Sequence, residues 1–594
     1  MTQWSGPTND CMNQRLETLT QVVAHYQTPS ARNLRQDQNG GWVLLLPSLG
    51  PGEGVLCLEL GSLEYCGPLI YWHGDVDVLA RRPGLGQARH TIYRGGQEGV
   101  MAAVDWEPGQ RLPFGSGTFA GIVIRLAGAA APAQFAALSL GAAFWREIRR
   151  VLASTGFTYL EINGNLSLGS LENVARGAWS QVNIGPRRRK WLSQLKIAGL
   201  GVLAVYPLLN ERGELAEILT EADQVLPPEP VGFRERAKLR LLGPWGRRHF
   251  ASAYGLLSTC GRRPTLLDEL LLVCDAAAVV SGTDSGGSPY RAGRIAVTPG
   301  KVFVQCVRAS SPDGSLFVVV PMNHETLGRR RRELAAITAL RATQLEIATL
   351  LPSIAREAQC RGRTVFVYSE IRGRTIDRPV PQLSVMIQCA FELLAEFNRA
   401  SQRDIIMDQS AFDACVGTAL SGAVARYPTL ELALARLRSE FDRHLSGRHC
   451  RVGWLHGDFK IENLLFDMRE IRVTGVIDWE LASPVGFLMV DLLYLLAYGR
   501  VTEGAAADVL DVVEVAILGG CWTAQERTLI DDYVRRFNLP LHYMTLASAF
   551  FVVHHIGMRF TYAITEADWR VRLNRILENL TARLEAVSVP GFDS

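Results

Sequence analysis

The chain has 594 residues, 48% hydrophobic and 20% charged, enough apolar material for several cores and too much for disorder over most of its length. Lys plus Arg exceed Asp plus Glu by only 62 to 59, so charge predicts neither a nucleic-acid nor a membrane-surface partner. The eleven cysteines are scattered, with no C-x-x-C pair and no Cys/His cluster at zinc spacing. That usage predicts a reduced, cytoplasmic protein without a structural metal.

Residues 1–40 are polar, lack an apolar leader-like run and allow one short helix near 13–25. Over 41–264, short apolar runs alternate with helical patterns, which predicts an α/β layered domain. The runs are 42–46, 55–60, 100–104, 119–126, 157–162, 201–206 and 253–259. The uncharged stretch 126–145 is Ala/Gly-rich and holds Pro132, so it reads as buried loop and helix rather than a membrane span. The basic segment 186–190 reads as solvated surface, and 227–248 as a basic, Pro-punctuated insertion. Residues 265–289 give a helix, Leu266–Val280, and a Gly/Ser-rich joint.

From Tyr290 to about 588 the pattern changes. Three β-like runs, RIAV, KVFVQCV and SLFVVVP, are separated by tight turns. A helix at 329–340, a strand at 364–371 and a largely helical remainder follow. Sheet first and helices afterwards predicts a second, bilobal domain.

The segment VGWLHGDFKIENLLFDMREIRVTGVIDWELASPVGFLMVDLLYLL, starting at Val452, carries the chemistry. Its spacing places Asp458 and Asn463 on a β-hairpin before a turn and Asp478 after it. Phosphoryl transfer needs a carboxylate to orient and deprotonate the acceptor hydroxyl, and oxygen ligands to hold Mg²⁺ on the phosphates. These three residues supply both.

H-G-D-x-x-x-x-N-L-L followed by G-V-I-D-W-E resembles the aminoglycoside phosphotransferase and choline kinase family, with its protein-kinase-like fold, over roughly 286–590. The resemblance implies an ATP- and Mg²⁺-dependent transfer to a hydroxyl, with Asp458 as catalytic base and Asn463 and Asp478 as metal ligands. His456 would brace the catalytic loop, Asp491 anchor it, and Glu480 organise the site or touch the acceptor. Ser369, Glu370 and Ile371 would take the adenine edge. The acceptor would be a small molecule or a saccharide, met in the helical part where Asp531 and Asp532 lie. One departure stands out: the third strand of the lobe, around 317–321, has no lysine for the phosphates. Glu333, that lysine's usual partner, is then left unpaired, Lys301 is a candidate substitute, and the run 329–332 reads as a solvated helix face. A non-catalytic interaction protein stays open on this ground.

In the first half, VLCLEL before Gly61, MAAVDW ending near Asp105, and FWREIRRVLASTGFTYLEI together resemble the class I S-adenosylmethionine-dependent methyltransferase fold. The resemblance implies a Rossmann-like sheet with Gly61 near the methionine moiety and Asp105 facing the adenine. The glycine loop is eroded to GSLEYCG over 61–67, where only glycine would permit close ligand approach. A degenerate, fold-only domain is expected, with a bifunctional methyltransferase–kinase as the alternative. His554 and His555, in an apolar helix, read as packing residues.

Overall fold

The computed structural model describes residues 345–558 and 566–587, and 289–343 apart from 299 and 309–314. Ahead of these it describes separate stretches, chiefly 42–47, 53–59, 76–81, 90–96, 99–106, 114–125, 142–163, 200–211, 214–218, 253–259 and 264–280. The expected 13–25 helix, Gly61 and its loop, and the segments 186–190 and 227–248 lie outside the described residues. Two compact units result: 1–327 with 356–369, and 328–355 with 370–594.

The first unit is built on one 14-stranded sheet. Its strands are β1 (Val55–Glu59), β2 (Val76–Arg81), β3 (His90–Gly96), β4 (Gly99–Trp106), β5 (Phe119–Arg125), β6 (Leu152–Asn163), β7 (Gly201–Glu211), β8 (Glu214–Ile218) and β9 (Ala253–Thr259). They continue with β10 (Tyr290–Thr298), β11 (Lys301–Arg308), β12 (Leu316–Pro321), β13 (Ala355–Cys360) and β14 (Arg363–Ser369). β2, β1, β5 and β6 lie parallel in that order. Val55 to Leu58 are all buried, as a parallel strand covered on both faces requires. Helix α1 (Ala142–Val151) packs Trp145 and Ile148 into the core with Ile122, Ile124 and Leu160.

β9 runs antiparallel between β6 and β7, and β3 and β4 add an antiparallel edge beside β2. β10 pairs antiparallel with β8, placing Ile295 opposite Ile218, and then with β11. The two sheet patterns expected from the sequence are therefore one continuous sheet. Helix α2 (Leu266–Val280) has the predicted ends. A reciprocal cap fixes its start: the Thr265 amide donates to Asp268 Oδ2 at 2.7 Å, and the Asp268 amide donates to Thr265 Oγ1 at 3.2 Å.

Residues 42–46, expected as a strand, form a tight 3₁₀ turn instead, with every side chain buried. Pro47 bridges Thr265 beside it. β2 ends at Arg81, where the sequence reading put the end of a second strand, and β3 and β8 were not anticipated.

The second unit contains most of α3 (His324–Ala342), then α4 (Leu383–Ser401), β15 (Arg403–Ile406), α5 (Thr418–Arg426), α6 (Glu431–Leu445), β16 (His449–Leu455) and the hairpin β17 (Leu464–Asp467)/β18 (Arg472–Val476). After β19 (Ser483–Gly486) come α7 (Val490–Glu503), α8 (Ala524–Phe537), α9 (Leu541–Met558) and α10 (Glu566–Glu585). α7 and α9 are apolar on nearly all sides and fill the centre of the helical layer. α5 and α9 cross at glycines: a Cβ on Gly557 would collide with the Ala419 carbonyl oxygen. Among the described residues no helix is long and apolar enough to cross a membrane.

Candidate functional site

β16 ends at Leu455 and delivers His456, Gly457 and Asp458 into a loop. Asp458 and Asn463 thus precede the β17/β18 hairpin rather than lying on its strands, a correction to the sequence reading. Gly457 turns the chain at φ +78°, and a Cβ there would meet the Leu481 carbonyl oxygen at 2.5 Å, so no other residue fits.

Asp491, in the first turn of α7, accepts from the His456 amide at 2.7 Å and the Gly457 amide at 2.9 Å. It is fully buried. Burial raises its carboxyl to about 7, against the pull of those amides. His456 is also buried, and its ring is pushed below the usual histidine value by desolvation, leaving it neutral. Its Nδ1 accepts from the Asp458 amide at 3.2 Å, so Nε2 carries the proton and donates to the Ile477 carbonyl at 3.0 Å. The ring lies 4.4 Å from that of the buried Trp479. His456 therefore ties the Asp458 loop to the residue before Asp478.

A 3₁₀ turn, Ile461–Asn463, returns Asn463 towards Asp458. Asn463 Nδ2 donates to the Asp458 carbonyl at 2.9 Å and to Oδ2 at 3.0 Å. Lys460 Nζ lies 3.4 Å from the same Oδ2, 3.1 Å from Glu462, and 4.9 Å over the Tyr498 ring. The Ile477 amide donates to the Asn463 carbonyl at 3.0 Å, while β17 and β18 pair Leu464 with Val476. The hairpin register therefore sets Asp478 beside Asn463 although fifteen residues separate them.

Asp478 adopts a left-handed conformation, φ +67° and ψ 52°, uncommon for a residue other than glycine. Its Oδ1 accepts from Arg330 Nη2 of α3 at 2.8 Å. Arg330 Nη1 pairs with Glu333 at 2.6 Å, and Nη2 also bonds Glu480. Arg329 reaches Glu480 at 3.1 Å. Two expectations are corrected here: Glu333 has a partner, and the run 329–332 is not wholly a solvated face, since Arg330 is 3% exposed.

The structure thus gathers His456, Asp458, Asn463, Asp478, Glu480, Asp491 and Glu333 in one unit. Lys301 opens β11, with Nζ 5.3 Å over the Phe303 ring, and Ser369 ends β14; both belong to the other unit. Glu370 and Ile371 follow β14, and Ile371 packs on Gly475. Asp105 lies in β4 opposite Thr91. Sequence reading missed Arg330 and Lys460. The Arg330/Glu333 spacing of three on a helix was the available signal for the first, and the Asp-x-Lys step after His-Gly for the second.

The Asn463 amide oxygen and the Asp478 carboxylate are hard oxygen donors, chemistry that fits Mg²⁺ with phosphates and water completing its shell. Among the described residues, no three His, Cys, Asp or Glu side chains are already gathered as a metal site.

His554 and His555 on α9 lie within electrostatic reach of Asp458. The Tyr494 hydroxyl meets His554 Nδ1 at 3.0 Å. Burial pushes His554 down to about 4 and His555 to about 3, with Asp458 opposing. Each is held neutral in the fold but protonates below about 6.5 in the unfolded chain, so its contribution is complete above that pH and is lost on acidification. Between pH 6.5 and 4.5 the two cost up to about 3 kcal/mol per pH unit. A chain carrying both His554→Gln and His555→Gln is expected to be less acid-sensitive by that margin, read as melting temperature against pH. Parallel pH profiles would refute the assignment.

Residues 305–514, about a third of the chain, match the phosphotransferase enzyme family. Solved structures similar to the chain include aminoglycoside phosphotransferase APH(3'')-Id from Streptomyces rimosus with ADP and streptomycin, 15% identical, covering 52% of this chain and 98% of its own at a TM-score of 0.29. A microcompartment-associated aminopropanol kinase is 13% identical, covering 53% and 96% at 0.31. The structure titled "Complex between the Haloferax volcanii Trm112 methyltransferase activator and the putative methyltransferase" is 13% identical, covering 39% and 95% at 0.24. A 42-residue stretch is 55% identical to the Arabidopsis thaliana protein named "Probable acyl-CoA dehydrogenase IBR3"; it spans 7% of this chain and 5% of that relative's length.

Proposed function

From a phosphotransferase-family domain in the C-terminal half, we propose that the chain transfers the γ-phosphoryl group of ATP to a hydroxyl of a small molecule or saccharide. The observation that carries this reading is the Asp458–Asn463–Asp478 set, joined through the Asn463–Asp458 hydrogen bonds and the Ile477–Asn463 backbone bond. Asp458 orients the acceptor hydroxyl and takes its proton on the carboxylate that Asn463 and Lys460 hold. Mg²⁺, held by Asn463 and Asp478, would neutralise charge on the phosphates. His456 and Asp491 keep the loop in place from below.

In the same reading, the N-terminal strands are a methyltransferase-like scaffold rather than an S-adenosylmethionine enzyme. The parallel β2-β1-β5-β6 block supports the fold, and the eroded glycine loop argues against the cofactor. A second reading, a non-catalytic interaction protein, is favoured by one observation: β12 is LFVVVP and carries no lysine.

Calorimetric titration of ATP with Mg²⁺ into the wild type and Asp478→Ala separates the two. Magnesium-dependent binding, weakened about tenfold or more in the variant, is the expected result. No binding by the wild type at millimolar ATP would overturn the phosphotransferase reading.

A further inference from the structure

Arg330 is the most buried cation facing this site, and it touches three carboxylates at once. Its guanidinium bonds Glu333 on its own helix, Asp478 Oδ1 after β18, and Glu480 two residues further on. Arg331 and Arg332, its neighbours in the same run, are exposed. A buried guanidinium is costly unless its charge is matched. Equally, the carboxylates of Glu333, Asp478 and Glu480 repel one another unless a cation stands among them. The cation can be a guanidinium or a metal ion.

We infer that Arg330 is a positioning residue that fills the centre of this carboxylate cluster. It thereby keeps the cluster from collecting a divalent cation before nucleotide arrives. The inference rests on reading Asp478 as a ligand of the nucleotide's metal, and it extends that reading to the order of binding. With the guanidinium on Oδ1, Asp478 is held in its left-handed conformation and offers the metal a single carboxylate rather than three. Metal then enters in company with phosphates, which supply the remaining charge. Arg330 also gives Glu333 the cationic partner that β12 does not provide.

The test uses Mn²⁺ alone, followed by electron paramagnetic resonance and calorimetry on the full-length protein. Wild type is expected to bind Mn²⁺ weakly without nucleotide and more tightly with ATP. Arg330→Gln removes the cation shared by the three carboxylates, leaving only Arg329 on Glu480, and should bind Mn²⁺ alone about tenfold more tightly or better. Arg330→Lys keeps the charge and should stay near wild type. A variant that had merely lost structural support would not gain affinity for a bare ion.

If Arg330→Gln does not fold, Arg330→Met, which keeps the aliphatic stem and removes the charge, takes its place and should show the same gain. Unchanged Mn²⁺ affinity in the folded variant, or equal gains in the Gln and Lys variants, overturns the inference. A wild type that binds no ATP while Arg330→Gln still gains Mn²⁺ would sink the phosphotransferase reading and leave the cation-filled cluster standing.

Discussion

Asp458→Asn is expected to lower phosphoryl transfer by about 10²–10⁴-fold while leaving ATP affinity and melting temperature close to wild type. The substitution keeps the shape of the side chain. An amide oxygen can still accept from Asn463 Nδ2, which now bonds Oδ2 at 3.0 Å. What disappears is the ability to take the acceptor's proton and the charge that faces Lys460 at 3.4 Å. Transfer would be followed as ADP release across a panel of amino alcohols and sugars, on the wild type first. A loss in kcat without a change in nucleotide affinity assigns Asp458 to the chemical step. Equal rates in variant and wild type would remove it from that role.

The largest effect on stability is expected away from the site, at the crossing of α5 and α9. A methyl group on Gly557 would collide with the Ala419 carbonyl oxygen and lie 3.1 Å from the Ala423 amide nitrogen. Gly422 faces it, with a Cβ there 2.5 Å from the Gly557 carbonyl oxygen. Both obstacles are backbone, so no rotamer change relieves them and the helices must move apart. Gly557→Ala should therefore cost about 3 kcal/mol or more, at the upper end for overpacking. Gly499→Ala is the control. Its Cβ would meet only the flexible end of Ile387, at 2.9 Å, and Gly499 is likewise in a helix. Comparing the two melting temperatures checks the claim. Equal shifts would mean that α5 and α9 are not in backbone contact.

Sequence made the site partly legible because its chemistry is local. His456, Asp458 and Asn463 lie within eight residues, and the hairpin that carries the chain to Asp478 is itself short. The α2 helix was legible to the residue because Thr265 and Asp268 mark its start. Arg330 was not, since a run of four arginines reads as a solvated face until the fold shows which one turns inward. Glu333 looked unpartnered for the same reason: its cation comes from its own helix, not from β12. The buried turn at 42–46 has the composition of a strand, and the Leu46 amide donating back to the Val43 carbonyl at 3.1 Å shows otherwise. β8 escaped notice because ELAEI has little to bury on its own, and its pairing with β10 spans some 75 residues. Gly557 gave no signal either, because a glycine in an apolar helix does not reveal what crosses it.

The β8–β10 pairing bears on how this protein can be divided. A fragment starting at Tyr290 would hold the whole match from 305 onwards, and would be a natural choice for crystallisation or for an isolated assay. It would also strip β10 of its neighbour along Ile295 and Ala296, leaving backbone donors and acceptors bare on a strand of alternating buried residues. Such an edge recruits other chains. Starting before β7 keeps the β7–β8 ribbon on β10 but bares β9 along Ala253–Thr259, where it pairs with β6, so the cut only moves the open edge.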